Sequence, residues 1–240
     1  ASAAGTISVA SGQMTSGELR FYKYRSLTAT PQLIQLNGSG TDSTYATRIL
    51  TTDSTDFAGE VYLRADRVQL DGGRFAAQTT VEQLGASSAT RAMGGIINSV
   101  TTLNAGGNRF LDSLIVINRR SGVWEWESSR QDTHGKGIRI SHAALGTGWT
   151  SWANTGVVTL PHLTVSSSAN ASVSGGIRIG YGADTVFLPA NKQLITQDFS
   201  RGNLEFYHFF RQGSGLEQTL TLTDSSALRI EASLFEGTFT

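Results

Sequence analysis

The sequence contains no cysteine, only 3 prolines and few charged residues. Without cysteine, a disulfide framework, a thiolate metal site and a cysteine nucleophile are all excluded. Charged residues make up 16% of the chain, which is too few for long surface helices rich in Lys and Glu. The formal net charge is zero, so there is no basic surplus for nucleic acid. No run of about 18 apolar residues occurs, so no segment is expected to span a membrane or insert into one.

The residues that are abundant favour β-structure. Gly is frequent, at 27 of 240 residues, and Ser and Thr alternate with Val, Ile, Phe and Tyr, which is typical of strands joined by glycine turns. The sequence therefore predicts an all-β fold with little helix. Residues 80–84 are a local exception and predict the start of a short helix, with Thr79 or Thr80 as its N-cap. The chain starts without Met and without a signal peptide, so we expect an internal fragment of a longer protein.

An aromatic segment near the start recurs near the end. Residues 17–25 read GELRFYKYR, and residues 202–210 read GNLEFYHFF. Each is followed by an alternating segment, at residues 32–36 and 219–223. The second copy keeps Gly, Leu, Phe and Tyr but changes the charged positions, so we interpret the pair as a recurring core strand. Residues 1–73 and 161–240 are predicted to be two copies of one β-repeat unit.

The central residues, 74–160, differ from both flanks. They contain all four tryptophans, which predicts a local core in a Trp-containing β-domain or insert. Residues 109–117 predict a strand, 119–122 a hairpin turn and 123–127 the returning strand. Residues 96–103, between two Gly-Gly pairs, predict a further strand.

An Arg flanked by apolar residues recurs along the chain. In a strand the Arg should face solvent while its neighbours face a core. Such short units bury little by themselves and need neighbours from the same chain or from identical chains. The units are Leu63-Arg64-Ala65, Ile138-Arg139-Ile140, Ile177-Arg178-Ile179 and Leu228-Arg229-Ile230.

Candidate catalytic and metal-binding residues have simpler structural interpretations. His134 and His142 lie near Asp132, but none of the four histidines has the HxH or HExxH spacing of a metal site. Glu125 and Glu127, together with Asp132, are candidate carboxylates for glycoside cleavage. The alternation Trp-Glu-Trp-Glu more simply predicts buried Trp and exposed Glu. We therefore expect no enzymatic activity, no metal and no cofactor.

Tryptophan rings that remain exposed are able to stack on sugars. The candidate glycan contacts in the central region are Trp124, Trp149 and Trp152. Packing in a core or between subunits is the alternative interpretation of the same residues.

The aromatic repeats, the alternating segments that follow them and the unit VSGGIRI at residues 173–179 resemble a segment of a bacteriophage long tail fibre. The resemblance implies an elongated, parallel homotrimeric fibre with small β-rich globular domains along its shaft. It also implies a location in the tail fibre of the virion, after assembly in the host cytoplasm. Its partners would be adjoining fibre segments or proteins and a bacterial surface glycan or outer-membrane protein.

The function implied by this resemblance is to link the virion to the host-cell surface during adsorption. The iron-binding His-x-His repeats of some fibre tips are absent, which favours a shaft or a knob on the shaft. The alternatives are a carbohydrate- or receptor-binding knob, a polysaccharide-degrading tailspike and a bacterial trimeric adhesin.

Overall fold

The structure is a computed structural model that describes 15 stretches of the chain. They are residues 6–9, 17–36, 48–65, 67–83, 92–93, 107–119, 124–126, 132–143, 149–152, 157–168, 171, 174–181, 185–213, 218–223 and 225–236. These residues form 26 β-strands and no helix, which confirms the predicted all-β class. The predicted strand at residues 96–103 lies outside them.

The strands are short, and each has two to six residues. In chain order they are β1 (Thr6–Val9), β2 (Gly17–Tyr22), β3 (Arg25–Ser26), β4 (Gln32–Leu36), β5 (Arg48–Asp53), β6 (Asp56–Phe57), β7 (Val61–Ala65), β8 (Arg67–Asp71), β9 (Arg74–Phe75), β10 (Thr79–Gln83), β11 (Ala92–Met93), β12 (Arg109–Phe110), β13 (Leu114–Asn118), β14 (Trp124–Trp126), β15 (Thr133–His134), β16 (Gly137–His142), β17 (Trp149–Trp152), β18 (Val157–Thr159), β19 (His162–Ser167), β20 (Gly176–Ile179), β21 (Thr185–Leu188), β22 (Leu194–Phe199), β23 (Gly202–Tyr207), β24 (Phe209–Arg211), β25 (Ser226–Glu231) and β26 (Leu234–Phe235).

All pairing between these strands is parallel, and up to β24 each partner lies three strands further along the chain. Sheet 1 has the order β1-β4-β7-β10-β13-β16-β19-β22. Sheet 2 has two sections, β2-β5-β8 and β11-β14-β17-β20-β23-β25, and sheet 3 also has two, β3-β6-β9-β12-β15 and β18-β21-β24-β26. Three successive strands therefore make one coil, and the coils stack into a parallel β-solenoid. A ninth coil begins with the bridge between Ile195 and Thr219 and contains β25 and β26.

Alternation along each strand decides which side chains enter the solenoid. In β7 and β13 every second residue is buried, as expected where one face of a strand meets a core. On sheet 3 an aromatic row runs through four successive coils. Phe57, Phe75, Phe110 and His134 occupy one register position, with ring centroids 5.6, 5.0 and 5.3 Å apart. Stacked aromatic rings of this kind add to the area that they bury.

The two aromatic repeats occupy the same place in their coils. Each comprises a strand of sheet 2, a corner residue and a strand of sheet 3: β2 and β3 in one copy, β23 and β24 in the other. The corner residues Lys23 and His208 both have left-handed backbones, with φ of 49° and 47°. The retained Leu and Phe face inward in the second copy, where Leu204 and Phe206 are buried. The two aromatic segments are therefore similar in sequence because they occupy equivalent positions in two different coils.

Two local predictions are wrong. Residues 79–83 form β10, in the middle of sheet 1, rather than the start of a helix. The hairpin predicted around residues 119–122 does not form, because β13 and β14 belong to different sheets and each pairs in parallel with other strands. In both cases the pairing partners of the strands lie one coil away along the chain.

Sheet 1 continues through both predicted boundaries of the central region. Strand β7 pairs with β10 across residue 73, and β16 pairs with β19 across residue 160. The described strands between these points are successive coils of the same solenoid.

The Arg-centred units follow the predicted orientation. The apolar neighbours of Arg64, Arg139 and Arg178 are buried. Leu228 and Ile230, however, are 42% and 46% exposed, although they continue the interior rows of Leu204 and Phe206. Their orientation agrees with the prediction, but they are only partly covered because β25 is the last described strand of its sheet.

Candidate functional site

The three candidate tryptophans have separate positions. Trp152 is buried inside the solenoid, 2% exposed, with its ring centroid 5.5 Å from that of His134. It is therefore not available to stack on a glycan. The side chain of Trp124 lies outside the described residues. Trp149 is half-buried on the outer face of sheet 2, and it is the candidate that the structure places in an exposed cluster.

Arg178 is the centre of that cluster. Its guanidinium carbon lies 3.7 Å from the centroid of the Trp149 ring and 4.8 Å from that of Tyr181. Both distances are those of cation–π contacts. The Arg178 Nε also donates to Glu205 Oε2 at 2.9 Å. Three neighbours thus fix one cation, and Arg178 keeps Trp149 and Tyr181 in a defined arrangement.

Strand register explains why these residues meet. Ser151, Arg178, Glu205 and Arg229 occupy one outward row on four successive strands of sheet 2. Neighbouring parallel strands are about 4.8 Å apart, so Arg178 reaches Glu205 on the next strand, whereas Arg229 pairs with Glu231 on its own strand.

Tyr207, two residues after Glu205 on β23, is the fifth member of the cluster. Its hydroxyl donates to Glu205 Oε2 at 2.7 Å, and its ring contacts Tyr181 edge to face with centroids 5.1 Å apart. Burial and the hydrogen bond to Glu205 raise the pKa of Tyr207. The hydroxyl therefore stays protonated. We call Trp149, Arg178, Tyr181, Glu205 and Tyr207 the Trp149 site; it offers the ring of Tyr181, which is 47% exposed.

The sequence-derived carboxylate candidates do not form a described pair. Asp132 is buried and accepts hydrogen bonds from the backbone N–H and side-chain amide of Asn108 at 2.8 and 3.1 Å. Its carboxylate thus holds the corner of one coil onto the next. The side chains of Glu125 and Glu127 lie outside the described residues.

The two central histidines are interior residues. Both ring nitrogens of His134 are buried without a hydrogen-bond partner among the described residues, and His142 Nδ1 lies 2.9 Å from Thr150 Oγ1. Burial lowers the pKa of each to about 4. Within the described ranges no group of three or more His, Asp or Glu side chains is placed to hold a metal ion.

A second polar cluster lies on the outer face of sheet 1. Glu82 on β10 is only 3% exposed in its side chain, yet it faces outward and is covered by its partners. It accepts hydrogen bonds from the Tyr62 hydroxyl and from Arg119 Nε. Arg64 Nε lies 3.1 Å from Glu82 Oε2, but its N–H does not point at an acceptor, so this contact is an ion pair alone. Burial and the bond to Glu82 raise the pKa of Tyr62 to about 12.

Beside this cluster is a groove of about 460 Å³ that reaches across three coils. Local sequence patterns gave no sign of it, because its walls come from turns and strands that meet only when the coils stack. It is lined by Pro31, Gln32, Leu33, Gln35, Glu60, Val61, Tyr62, Arg64, Gln78 and Thr80.

Comparison of the chain with protein-family models, with curated protein sequences and with solved structures finds no match. In the part of the chain that the structure describes, no helix is long and apolar enough to cross a membrane.

Proposed function

We propose that this chain is a structural segment of a bacteriophage tail fibre, assembled as a homotrimer and carried on the virion. The observation that carries the proposal is the coil repeat, which joins successive coils by parallel main-chain pairing along sheet 1. Such a stack suits a mechanical link, since each coil is held by backbone hydrogen bonds on both sides. Its role would be to connect the virion to the host-cell surface during adsorption.

An apolar row on sheet 3 supports association with further copies. Leu27, Ala58, Ala76, Leu111 and Gly135 each follow a strand of that sheet at the same register position. Their ladder is fixed by hydrogen bonds such as Ala58 N to Ser26 O at 3.0 Å and Leu111 N to Phe75 O at 2.8 Å. Leu27 is 79% exposed and Leu111 is 39% exposed. Two leucines with small residues between them make a shallow surface on which another chain is able to pack closely.

The proposal predicts a mass about three times 25.6 kDa for the chain in solution. Replacing both Leu27 and Leu111 by Glu should convert the trimer to a monomer, because six carboxylates would meet in the apolar interface. Sedimentation equilibrium measures the mass, and negative-stain electron microscopy shows whether the particles are rods.

The matched control is Tyr22→Ser, which removes an apolar side chain that is 60% exposed on sheet 2. It should leave the trimer intact. A parent chain that sediments as a stable monomer would refute the trimer, and globular particles in the micrographs would refute the fibre.

A second candidate function is recognition of a glycan or receptor by the Trp149 site. The observation that favours it is the exposed ring of Tyr181, held against Arg178 on a face where Trp149 is half-buried. Aromatic rings held in a fixed position lose little entropy when a sugar stacks on them.

This candidate predicts that Tyr181→Ala lowers binding on a glycan array by about tenfold, the effect of losing one aromatic anchor. Trp149→Ala should lower it as well. Tyr22→Ala, which removes an exposed tyrosine elsewhere on sheet 2, is the control. Unchanged binding in both site variants would exclude the Trp149 site from recognition.

A further inference from the structure

We propose that the groove on sheet 1 binds a neutral, polyhydroxylated polymer such as an oligosaccharide chain, separately from the Trp149 site on sheet 2. The groove volume of about 460 Å³ lies within the range of about 300–1,000 Å³ that ligand sites occupy. It reaches across β4, β7 and β10, whose spacing gives a length of about 10 Å between the outer strands. A groove of this shape suits a stretch of polymer lying across the strands.

The polar lining consists largely of amides. Gln32, Gln35 and Gln78 line the groove, and each amide offers both donors and an acceptor. Gln32 already donates to Ser26 Oγ at 2.6 Å, which fixes its side chain. The side-chain amides of Gln35 and Gln78 make no hydrogen bond with another described residue. Hydroxyl groups of a sugar, which donate and accept at one atom, match such a lining.

The charges in the groove balance. Glu60 and Arg64 are its ionised lining residues, and Arg64 also pairs with the buried Glu82. A site for a phosphate-rich or otherwise anionic polymer needs a surplus of Lys and Arg, which this lining lacks. The ligand class that fits is therefore neutral.

Tyr62 is the aromatic wall of the groove. Its hydroxyl is held by Glu82, and Glu82 is held in turn by Arg64 and Arg119. The ring is thus positioned before any ligand arrives, and little side-chain entropy is lost on binding. Leu33 and Val61 add apolar surface beside the ring.

The test is affinity electrophoresis of the 240-residue chain through gels that contain a neutral polysaccharide (dextran, mannan or galactan) or the anionic polymer alginate. At least one neutral gel should retard the chain, and alginate should not. Gln78→Ala is expected to weaken retardation about threefold, and Tyr62→Ala about tenfold. Because Tyr62→Ala also uncovers Glu82, its thermal melting is measured beside the parent, and Gln78→Ala tests the groove without disturbing that cluster.

Tyr22→Ala is the control for loss of an exposed tyrosine and should migrate like the parent. Retardation that survives both groove variants, retardation by alginate alone, or no retardation in any neutral gel would each overturn the proposal. Retardation lost in Tyr181→Ala but kept in Gln78→Ala would assign binding to the Trp149 site instead. None of these outcomes depends on the trimer, which is tested by mass.

Discussion

Lowering the pH from 7 to 4 is expected to destabilise the solenoid by several kcal/mol through two buried histidines. The pKa of His134 and of His142 is about 4 in the folded chain, because burial disfavours the charged ring. An unfolded chain has histidines with a pKa of about 6.5. Between these values the unfolded state binds more protons, so the free energy of unfolding falls as the pH falls and levels off below pH 4.

The loss amounts to about 3 kcal/mol for each histidine at full effect, from a difference of about 2.5 pKa units. The ring of His134 stacks on Phe110 with centroids 5.3 Å apart, and the centroid of the Trp152 ring lies 5.5 Å away. Contact with aromatic rings offsets only part of the cost of burying a charged imidazole, and burial is the cause of the lowered pKa of His134. Urea unfolding, followed by far-UV circular dichroism at pH 7, 6, 5 and 4, measures the dependence.

His134→Phe isolates one of the two contributions. Phenylalanine already occupies this row at Phe57, Phe75 and Phe110, so the new ring continues an existing stack. The variant removes two buried nitrogens that have no hydrogen-bond partner among the described residues, and it should gain about 1–2 kcal/mol at pH 7. Between pH 6.5 and pH 4 the free energy of unfolding of the variant should fall by about half as much as that of the parent, because one buried histidine remains instead of two. The control is His208→Asn, at an exposed corner whose left-handed backbone asparagine tolerates. A His134→Phe profile parallel to that of the parent would contradict the explanation.

Local sequence patterns were sufficient for the strand content and for two equivalent segments, residues 17–25 and 202–210, but they did not predict the coil repeat. Alternation in residues 32–36 and 61–65 reports one buried face, and the repeated Gly, Leu, Phe and Tyr report one position in the coil. Pairing partners were not predictable in this way, because the coils differ in length. Thr79 pairs with Val61 on one side and with Leu114 on the other, at unequal distances along the chain. With no constant period, the hairpin at residues 119–122 was the natural local interpretation.

Local sequence patterns were also insufficient to predict the surroundings of the candidate site residues. Ring type alone made both Trp149 and Trp152 candidates for stacking, but Trp152 lies inside the solenoid and Trp149 on its outer face. Their opposite environments follow from strand geometry, since residues an odd number apart face opposite sides. Glu82 gave no local signal at all. Its partners Tyr62 and Arg119 come from the coils before and after it, and only the stacking register brings them together.

Gly180→Ala is expected to cost more than about 3 kcal/mol of stability, the second large effect that the coil geometry implies. Gly180 forms the corner between β20 and β21, where its φ is 82° and its N–H donates to Trp152 O at 2.7 Å. A left-handed backbone costs a residue with a β-carbon about 1 kcal/mol or more. The added β-carbon would also lie 2.1 Å from the carbonyl oxygen of Tyr207 in the next coil.

The two costs of Gly180→Ala are separable, because Ser54 forms the equivalent corner in the second coil with φ of 53°. Ser54→Gly relieves the backbone conformation and removes one exposed hydrogen bond, from Ser54 Oγ to Asp53 Oδ1 at 3.0 Å. These two effects oppose each other, so stability should change by about 1 kcal/mol or less. The excess cost of Gly180→Ala then measures the close approach of successive coils at Tyr207, since rigid backbone, unlike a side chain, is unable to move aside. Urea midpoints at constant m-value give both numbers. If Gly180→Ala lowers the free energy of unfolding by only as much as Ser54→Gly raises it, the close approach to Tyr207 adds no cost. That result would contradict the claim that the stacking of these coils requires glycine at position 180.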